Sequence, residues 1–131
     1  MIGILLLGHA RIASETRIAV EHILGEQVQL QAVDIVHSDA SGGEESDLNM
    51  VLDSLDEGLG VLVLVDLIGA TPWNMVNRAV AGKHVVLLGG FNLPAVIRAI
   101  SMRQECVDLN QLAQSSVEAG KHYIRLKIGG L

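Results

Sequence analysis

The apolar residues of this chain fall into short runs and helical stripes that alternate from one end to the other. A nearly unbroken apolar run from Ile2 to Leu7 ends at Gly8, which is typical of a strand buried on both faces. The segment from Ala10 to Leu24 indicates a helix, and Gly25 follows it as a stop signal. Its apolar stripe consists of Ile12, Ala19, Val20 and Ile23.

The next segment repeats this order of strand and helix. Val28 to Val36 alternates apolar and polar residues, which predicts a second strand, with Val28, Leu30 and Ala32 on one face. Ser38 to Ser46 is rich in Ser, Asp and Gly, which predicts a flexible loop. A second helix follows, with Ser46 as its N-cap and with Gly58 and Gly60 at its end.

A third apolar run extends from Gly60 to Val65 and stops abruptly at Asp66, which predicts a third strand. The turn from Gly69 to Pro72 then leads into a helix. We expect Thr71 to be the N-cap of this helix and Pro72 to occupy its first position, where a missing N–H has no cost.

The last part of the chain predicts one more buried strand, two helices and a closing strand. Val85 to Leu88 is the fourth strand, and Asn92 caps the helix after it. Asp108 caps a final helix, which Gly120 terminates. Tyr123 to Ile128 alternates apolar and basic residues, which predicts an edge strand with one wet face.

Alternating strands and helices predict an α/β fold with a parallel sheet and right-handed crossovers, in a single domain over residues 1–131. Ligands bind such sheets beyond the carboxyl ends of the strands. Three short segments lie there: Gly8-His9-Ala10, Asp66 with the turn after it, and Gly89-Gly90-Phe91-Asn92. We therefore expect the functional site at this edge.

Composition narrows the class of protein. Half of the 131 residues are hydrophobic but only 2% are aromatic, so the core must consist of Leu, Ile, Val and Ala. A net charge of -6 argues against a nucleic-acid partner. The single cysteine, Cys106, excludes an internal disulfide and fits a reducing compartment. The apolar start is too short to span a bilayer and lacks a basic leader, so we expect a cytoplasmic protein.

His9 is the residue best placed for chemistry, because it alone among five histidines follows directly on a buried strand. A neutral imidazole is a nucleophile near pH 7, provided that its second nitrogen carries the proton. If the third strand lies beside the first, as in the order 2-1-3-4, the Asp66 carboxylate can accept that N–H and stabilise the positive charge that develops on the ring when its other nitrogen attacks an electrophile such as a phosphoryl group. His9 and Asp66 are thus the expected catalytic pair.

A phosphoryl group also needs hydrogen-bond donors, and helix starts supply them as backbone N–H groups. We expect Ala10 and Arg11 to contribute from the first helix, and Gly69, Ala70 and Thr71 from the turn after Asp66. Each residue also has a structural explanation. A histidine at a strand end is often just hydrogen-bonded, Asp66 can cap its loop, and the turn residues are explained by helix initiation.

Other ligands find little support in the sequence. There is no His-Glu-x-x-His motif, cysteine pair or dense carboxylate cluster for a metal, and no glycine-rich loop of the kinds that bind ATP or dinucleotides. We therefore expect no cofactor and no metal. The phosphate must come from another donor.

Three segments together resemble the IIA proteins of the mannose class of the phosphoenolpyruvate-dependent sugar phosphotransferase system. They are Ile4 to Ala10, Asp66-Leu67-Ile68-Gly69-Ala70-Thr71-Pro72-Trp73-Asn74, and Gly90 to Pro94. The resemblance spans essentially the whole chain. It implies a flavodoxin-like three-layer sandwich of sheet order 2-1-3-4, and a homodimer that exchanges the C-terminal strand, here Tyr123 to Ile128.

The resemblance also implies a function. His9 would accept phosphate from the histidine-containing phosphocarrier protein HPr and pass it to a histidine of a separate IIB protein, so that the membrane is involved only through a transporter. Asp66 matches the aspartate of the family, and Gly69 to Pro72 match its phosphate loop. The chain has Gly8-His9-Ala10 where the family usually has Ser-His-Gly, so a hydroxyl beside His9 is missing.

Three other functions are possible alternatives to a phosphoryl carrier for sugar uptake. In the first, the phosphorylation state of His9 signals to a partner without any sugar transport. In the second, a receiver domain would phosphorylate Asp66, but it needs an acidic pair after the first strand, where Gly8-His9 stands. A flavin-binding module would need a Ser/Thr-rich loop there.

Overall fold

A computed structural model of the chain describes residues 1–36 and 42–130. For residues 42–46 it describes the backbone but not the side chains. The elements alternate as the apolar pattern predicts. Four strands and five helices follow one another along the chain: β1 Gly3–His9, α1 Ile12–Leu24, β2 Leu30–Ile35, α2 Gly42–Leu55, β3 Val61–Val65, α3 Thr71–Ala79, β4 Val85–Gly89, α4 Leu93–Met102 and α5 Leu109–His122.

The four strands form one parallel sheet of order β2-β1-β3-β4, which confirms the predicted order. Helices α1, α4 and α5 pack on one face of the sheet, and α2 and α3 pack on the other. The result is the expected three-layer α/β sandwich. The strand order reverses between β1 and β3, and a ligand crevice is expected at that point in such a fold.

The central strands are buried on both faces, as their unbroken apolar runs predict. In β1, Ile4 and Leu6 contact the layer of α1, α4 and α5, while Leu5 and Leu7 contact the layer of α2 and α3. All four side chains are fully buried. Burying one such side chain contributes about 1.5–3 kcal/mol. The ends of β1 and β3 are therefore fixed by packing on both sides.

The predicted boundaries of α1 and α2 were partly wrong. Helix α1 begins at Ile12, and its buried residues are Ala13 and Val20, whereas Ile12 and Ile23 are exposed. The expected stripe is thus rotated by part of a turn. Helix α2 begins at Gly42, so Ser46 lies inside it and is not its N-cap. His37 and residues 38–41 of the predicted loop lie outside the described part of the chain.

The caps of the later helices are mostly as predicted. Asn92 accepts a hydrogen bond from the N–H of Ala95 and Asp108 from that of Gln111, which confirms both N-caps. Gly120 was expected to end α5, but the helix continues to His122. A Cβ at position 120 would lie 3.1 Å from the Asn92 amide oxygen, so this glycine allows α5 to approach the start of α4.

Tyr123 to Ile128 forms no strand of this sheet, contrary to the prediction of an edge strand within the chain. Ile124, Leu126 and Ile128 are 74%, 85% and 87% exposed. The alternating pattern that suggested a strand is present, but the segment pairs with no strand among the described residues. A single strand without a partner cannot satisfy its backbone groups as a sheet does.

Arg103, which directly follows α4, forms hydrogen bonds with the backbone at the N-terminal ends of β1 and β2. Its side chain is 2% exposed and donates to the backbone oxygens of Ile2, Val28 and Gln29 at 3.1, 2.5 and 2.8 Å. Burial lowers the pKa of the Arg103 guanidinium, partly offset by the charge of Glu57, but an arginine stays protonated in proteins. One side chain thus ties β1 to the turn before β2.

We expect Arg103→Met to lower the free energy of unfolding by about 3 kcal/mol or more, because it leaves several carbonyl oxygens without a donor. Urea denaturation followed by circular dichroism measures this change. Arg98→Met is the matched control, since Arg98 makes one long hydrogen bond to Ser115 at 3.4 Å. Equal losses in both variants would contradict this role of Arg103.

The connection between β1 and α1 is only two residues long and contains an unfavourable backbone conformation. Ala10 has φ +50°, in the left-handed region that residues with a Cβ disfavour by roughly 1–2 kcal/mol. Its N–H donates to the carbonyl oxygen of Ile35 at 3.1 Å, so β2 holds it in place. The surrounding contacts must offset the cost of this conformation.

Ala10→Gly should therefore raise the free energy of unfolding by about 0.5–1 kcal/mol. Glycine removes the left-handed penalty but loses more entropy on folding, which cancels part of the gain. The control is Ala19→Gly within α1, where the same change should cost about 1 kcal/mol. Destabilisation of similar size at both positions would show that Ala10 is not strained.

Candidate functional site

The strand register brings the last residues of β1 and β3 together at the C-terminal edge of the sheet. Leu7 of β1 pairs with Val65 of β3, and the N–H of Asp66 donates to the Leu7 oxygen. Asp66 therefore lies beside the strand end that carries His9. This adjacency is what the sheet order requires.

His9 and Asp66 share two hydrogen bonds to one carboxylate oxygen. Asp66 Oδ2 accepts from the backbone N–H of His9 at 2.9 Å and lies 2.9 Å from Nδ1 of the same residue. The Asp66 side chain is 12% exposed, whereas that of His9 is 43% exposed. The carboxylate is thus shielded from water, and the imidazole faces it.

The hydrogen bond determines which ring nitrogen can react. Because a carboxylate accepts but cannot donate, Nδ1 of His9 carries the proton, and the lone pair lies on Nε2. An imidazole in this tautomer can attack an electrophile through Nε2, while the carboxylate lies where positive charge will develop. Asp66 Oδ1 is buried and has no hydrogen-bond partner among the described residues.

Gly8 provides the space that the carboxylate occupies. A Cβ at position 8 would lie 3.2 Å from both the carboxyl carbon and Oδ2 of Asp66, and 3.4 Å from Cβ of Ile12. The contact between Asp66 and the backbone of β1 therefore depends on the missing side chain. Gly8 thus leaves room beside His9, and Asp66 occupies that room.

The loop after Asp66 leads directly into α3 and is anchored on β4. A Cβ at Gly89 would overlap the Ile68 side chain and lie 3.2 Å from the Trp73 ring, so Ile68 packs in the space that this glycine leaves. Gly69 has φ +83°, and a Cβ there would meet no atom within 4 Å. Gly69 is therefore needed for its backbone conformation, which lies in the left-handed region that favours glycine.

The N–H groups around the start of α3 are candidates for binding an anion. Among the residues that the structure describes, no close acceptor lies opposite the N–H groups of Gly69 or Thr71, and Ile68 and Gly69 form a turn that ends at Ala70. The N-cap of α3 is Ala70, and Thr71 is the first helical residue, so the predicted cap was one residue too late. Pro72, which lacks an N–H, follows it.

The start of α1 differs from the expectation. Arg11 occupies its N-cap, and the N–H of Ala10 donates to Ile35, so in this conformation Ala10 cannot offer its amide to a phosphoryl group. The N–H of Ser14, in the first turn, donates to Asp34 Oδ1 at 3.0 Å. A carboxylate thus already occupies part of this helix terminus.

Asp34 and Ser14 are the residues of this region that sequence reasoning missed. Besides accepting from the Ser14 N–H, Asp34 accepts from its hydroxyl through Oδ2 at 2.6 Å. A signal was present in the sequence: Asp34 continues the alternation of Leu30 and Ala32, so a charged residue occurs on the face of β2 that packs against the core.

The other described histidines take no part in the contact with Asp66: His22 lies in the last turn of α1 and His84 precedes β4, whereas His122 lies at the end of α5, near the start of α4. His22, His84 and His122 are exposed, and the His122 ring contacts that of Tyr123 edge-on.

Within residues 1–36 and 42–130, no three His, Cys, Asp or Glu side chains gather where they could hold a metal ion. Nor is any helix of the described chain both long and apolar enough to cross a membrane.

Exposed apolar side chains occur on the two segments that follow β1 and β3. Ile12 at the start of α1 and Leu67 and Ile68 in the loop after Asp66 are 45%, 57% and 60% exposed. These segments begin at the strand ends that carry His9 and Asp66. Apolar surface at such a position is typical of a site where another protein binds.

Comparison with known proteins gives a consistent result. A family model described as "PTS system fructose IIA component" matches residues 3–117. The mannose-specific EIIAB component of the phosphotransferase system of Escherichia coli K12 is 29% identical over 125 residues, which are 95% of this chain. The chain spans only 39% of the length of that relative.

Solved structures agree with the fold. The phosphotransferase system component EIIA from Streptococcus agalactiae superposes with a TM-score of 0.86 at 22% identity, over 96% of this chain and 97% of that one. The mannose/sorbose-specific IIA subunit from Enterococcus faecalis gives a TM-score of 0.85 at 25% identity, over 99% and 98%. With the family model matched over most of its length, the chain belongs to the mannose-class IIA family of the sugar phosphotransferase system.

Proposed function

We propose that this protein is a phosphoryl carrier that accepts phosphate on Nε2 of His9 from phosphorylated HPr and passes it to a separate IIB protein. The observation that carries the proposal is the 2.9 Å contact between Nδ1 of His9 and Oδ2 of Asp66, which leaves Nε2 as the reactive nitrogen. Family membership supports phosphoryl transfer as the reaction. The contact between His9 and Asp66 supports Nε2 as the atom that accepts the phosphoryl group.

The transfer step follows from that contact. The Nε2 lone pair of His9 forms the new N–P bond as the N–P bond to the donor histidine of HPr breaks. The donor ring, protonated on its other nitrogen, takes the bonding electron pair and leaves as neutral imidazole. The proton remains on Nδ1, so the phosphorylated His9 ring carries positive charge next to the Asp66 carboxylate. Transfer to IIB reverses these roles, with a histidine of IIB as the nucleophile.

Hydrogen-bond donors for the phosphoryl oxygens are at hand in the loop after Asp66. We assign this role to the N–H groups of Gly69, Ala70 and Thr71, together with the Thr71 hydroxyl, because they lie at the start of α3, shortly after Asp66 in the chain. Backbone donors at a helix start are already oriented, so they need little reorganisation when the charge arrives. Ala10 drops out of the proposed phosphate site, since its N–H is bonded to Ile35.

The proposal also implies where the protein acts and which proteins it contacts. Residues 1–131 would act as one IIA domain in the cytoplasm, coupled to sugar uptake through IIB and a membrane transporter. The apolar residues Ile12, Leu67 and Ile68 would lie in the surface that HPr and IIB share in turn. A carrier must release each partner quickly, which suits a small apolar contact rather than an extensive one.

Incubation with phosphoenolpyruvate, enzyme I and HPr should label the protein with phosphate that is stable to alkali and labile to acid. His9→Ala should abolish the label, because it removes the imidazole that contacts Asp66. His22→Ala is the matched control, since His22 is exposed in the last turn of α1. Labelling of His9→Ala at the parental level would exclude His9 as the acceptor.

The same assay tests Asp66. Asp66→Asn should slow the transfer by roughly 10²-fold or more, because an amide N–H facing Nδ1 favours the tautomer that protonates Nε2. Thermal unfolding of each variant separates this effect from misfolding. An unchanged rate would show that the carboxylate is needed for structure alone.

We further propose that the protein is a homodimer in which Tyr123 to Ile128 of each subunit pairs with β4 of the other. The edge of β4 away from β3 has no partner strand among the described residues. Cavities of about 340 and 230 Å³ lie along it, between β4 and α5. An exposed apolar segment and an open strand edge in one chain complement each other across a dimer.

Leu126→Asp should convert this dimer to a monomer, because it places a charge on the apolar face of the exchanged segment. Sedimentation velocity distinguishes the two states. Val107→Asp, also at an exposed apolar position but between α4 and α5, should leave the dimer intact. A monomeric parent protein would contradict the exchange.

A further inference from the structure

The first turn of α1 receives its cap from the neighbouring strand. Arg11 stands at the N-cap position but makes no capping hydrogen bond with its side chain. Instead the Asp34 carboxylate accepts from the N–H and from the hydroxyl of Ser14, at 3.0 and 2.6 Å. Asp34 thus does for α1 what an N-cap residue normally does within its own helix.

The same strand also holds the residue next to His9. Ile35 follows Asp34 in β2 and accepts from the N–H of Ala10, the residue with the unfavourable left-handed backbone. The connection from His9 to α1 therefore forms hydrogen bonds with β2 at two residues, Ala10 and Ser14. If the hydrogen bonds of Ser14 were lost, the start of α1 could shift and Ala10 could relax to negative φ.

We propose that Asp34 is a positioning residue for phosphoryl transfer at His9. Acting through Ser14, it keeps Ala10 in the left-handed conformation in which the chain leaves His9 with its ring on Asp66 and Nε2 outward. The inference rests on the proposed carrier function. Asp34 itself contacts the start of α1 and neither donates nor accepts a proton in the reaction.

Two substitutions of Asp34 distinguish a positioning role from an electrostatic effect of its charge. Asp34→Asn keeps an oxygen that can accept from the Ser14 N–H and adds an amide that can donate to the hydroxyl, so it preserves the contact but removes the charge. Asp34→Ala removes both. A positioning role requires Asn to retain most of the transfer rate, whereas an electrostatic effect on the phosphoryl group would make the two variants alike.

The decisive variant combines Asp34→Ala with Ala10→Gly. Glycine adopts the left-handed conformation as readily as the right-handed one, so it no longer needs β2 to hold the turn. We expect Asp34→Ala to slow transfer from phosphorylated HPr about tenfold, and the double variant to recover most of that loss. Asp53→Ala on the exposed surface of α2 is the control and should match the parent.

A parental rate in Asp34→Ala would overturn the inference, and so would a double variant that stays as slow as the single one. Should Asp34→Ala fail to fold, Ser14→Ala replaces it, because it deletes the hydroxyl side of the same contact. It should then show a smaller loss and the same recovery with Ala10→Gly. Absence of that recovery would equally count against Asp34.

Hydrogen exchange of the Ala10 amide gives a measurement that needs no phosphate. We expect its exchange rate to rise about tenfold in Asp34→Ala and to stay near the parental value in Asp34→Asn. Unchanged protection in Asp34→Ala would exclude the mechanism even if transfer were slow. If the parent took no phosphate from HPr, the proposed function would fail, while the exchange data would still report on the turn.

Discussion

The site depends on one constraint: two neighbouring parallel strands must end at the same level, so that the residue after one strand meets the last residue of the other. Leu7 pairs with Val65, and as a result Asp66 reaches both the backbone and the ring of His9 through a single oxygen. The register is maintained by apolar side chains that are buried on both faces of β1 and β3. Packing within the sheet therefore determines the geometry at its edge.

The order of elements could be predicted from the sequence, because the signals for it are local or repeat along the chain. Unbroken apolar runs identified β1 and β3, and Asn92 and Asp108 marked helix starts. The pairing of His9 with Asp66 could also be anticipated, since it follows from strand order and strand ends alone. These are features that depend on few distant contacts.

What escaped prediction depends on tertiary contacts. The role of Asp34 at the start of α1 requires two elements to be in place, and the sequence shows only a charge on the inward face of a strand. Gly120 looked like a helix stop, yet it serves the approach of α5 to Asn92. The alternation of Tyr123 to Ile128 predicted a strand of the chain's own sheet, but the segment lies outside that sheet, because a local pattern does not determine which strand a segment pairs with.

The absence of a side chain at Gly8 has an evolutionary consequence. The carboxylate of Asp66 stands where a Cβ at position 8 would point, at 3.2 Å. A larger residue there must push the aspartate aside, so a change at position 8 is tolerated only if the loop that begins at Asp66 shifts with it. A serine introduced alone at position 8 of this chain would press on the carboxylate that contacts His9. The side chain that position 8 can carry is thus limited by Asp66, a residue at the end of another strand.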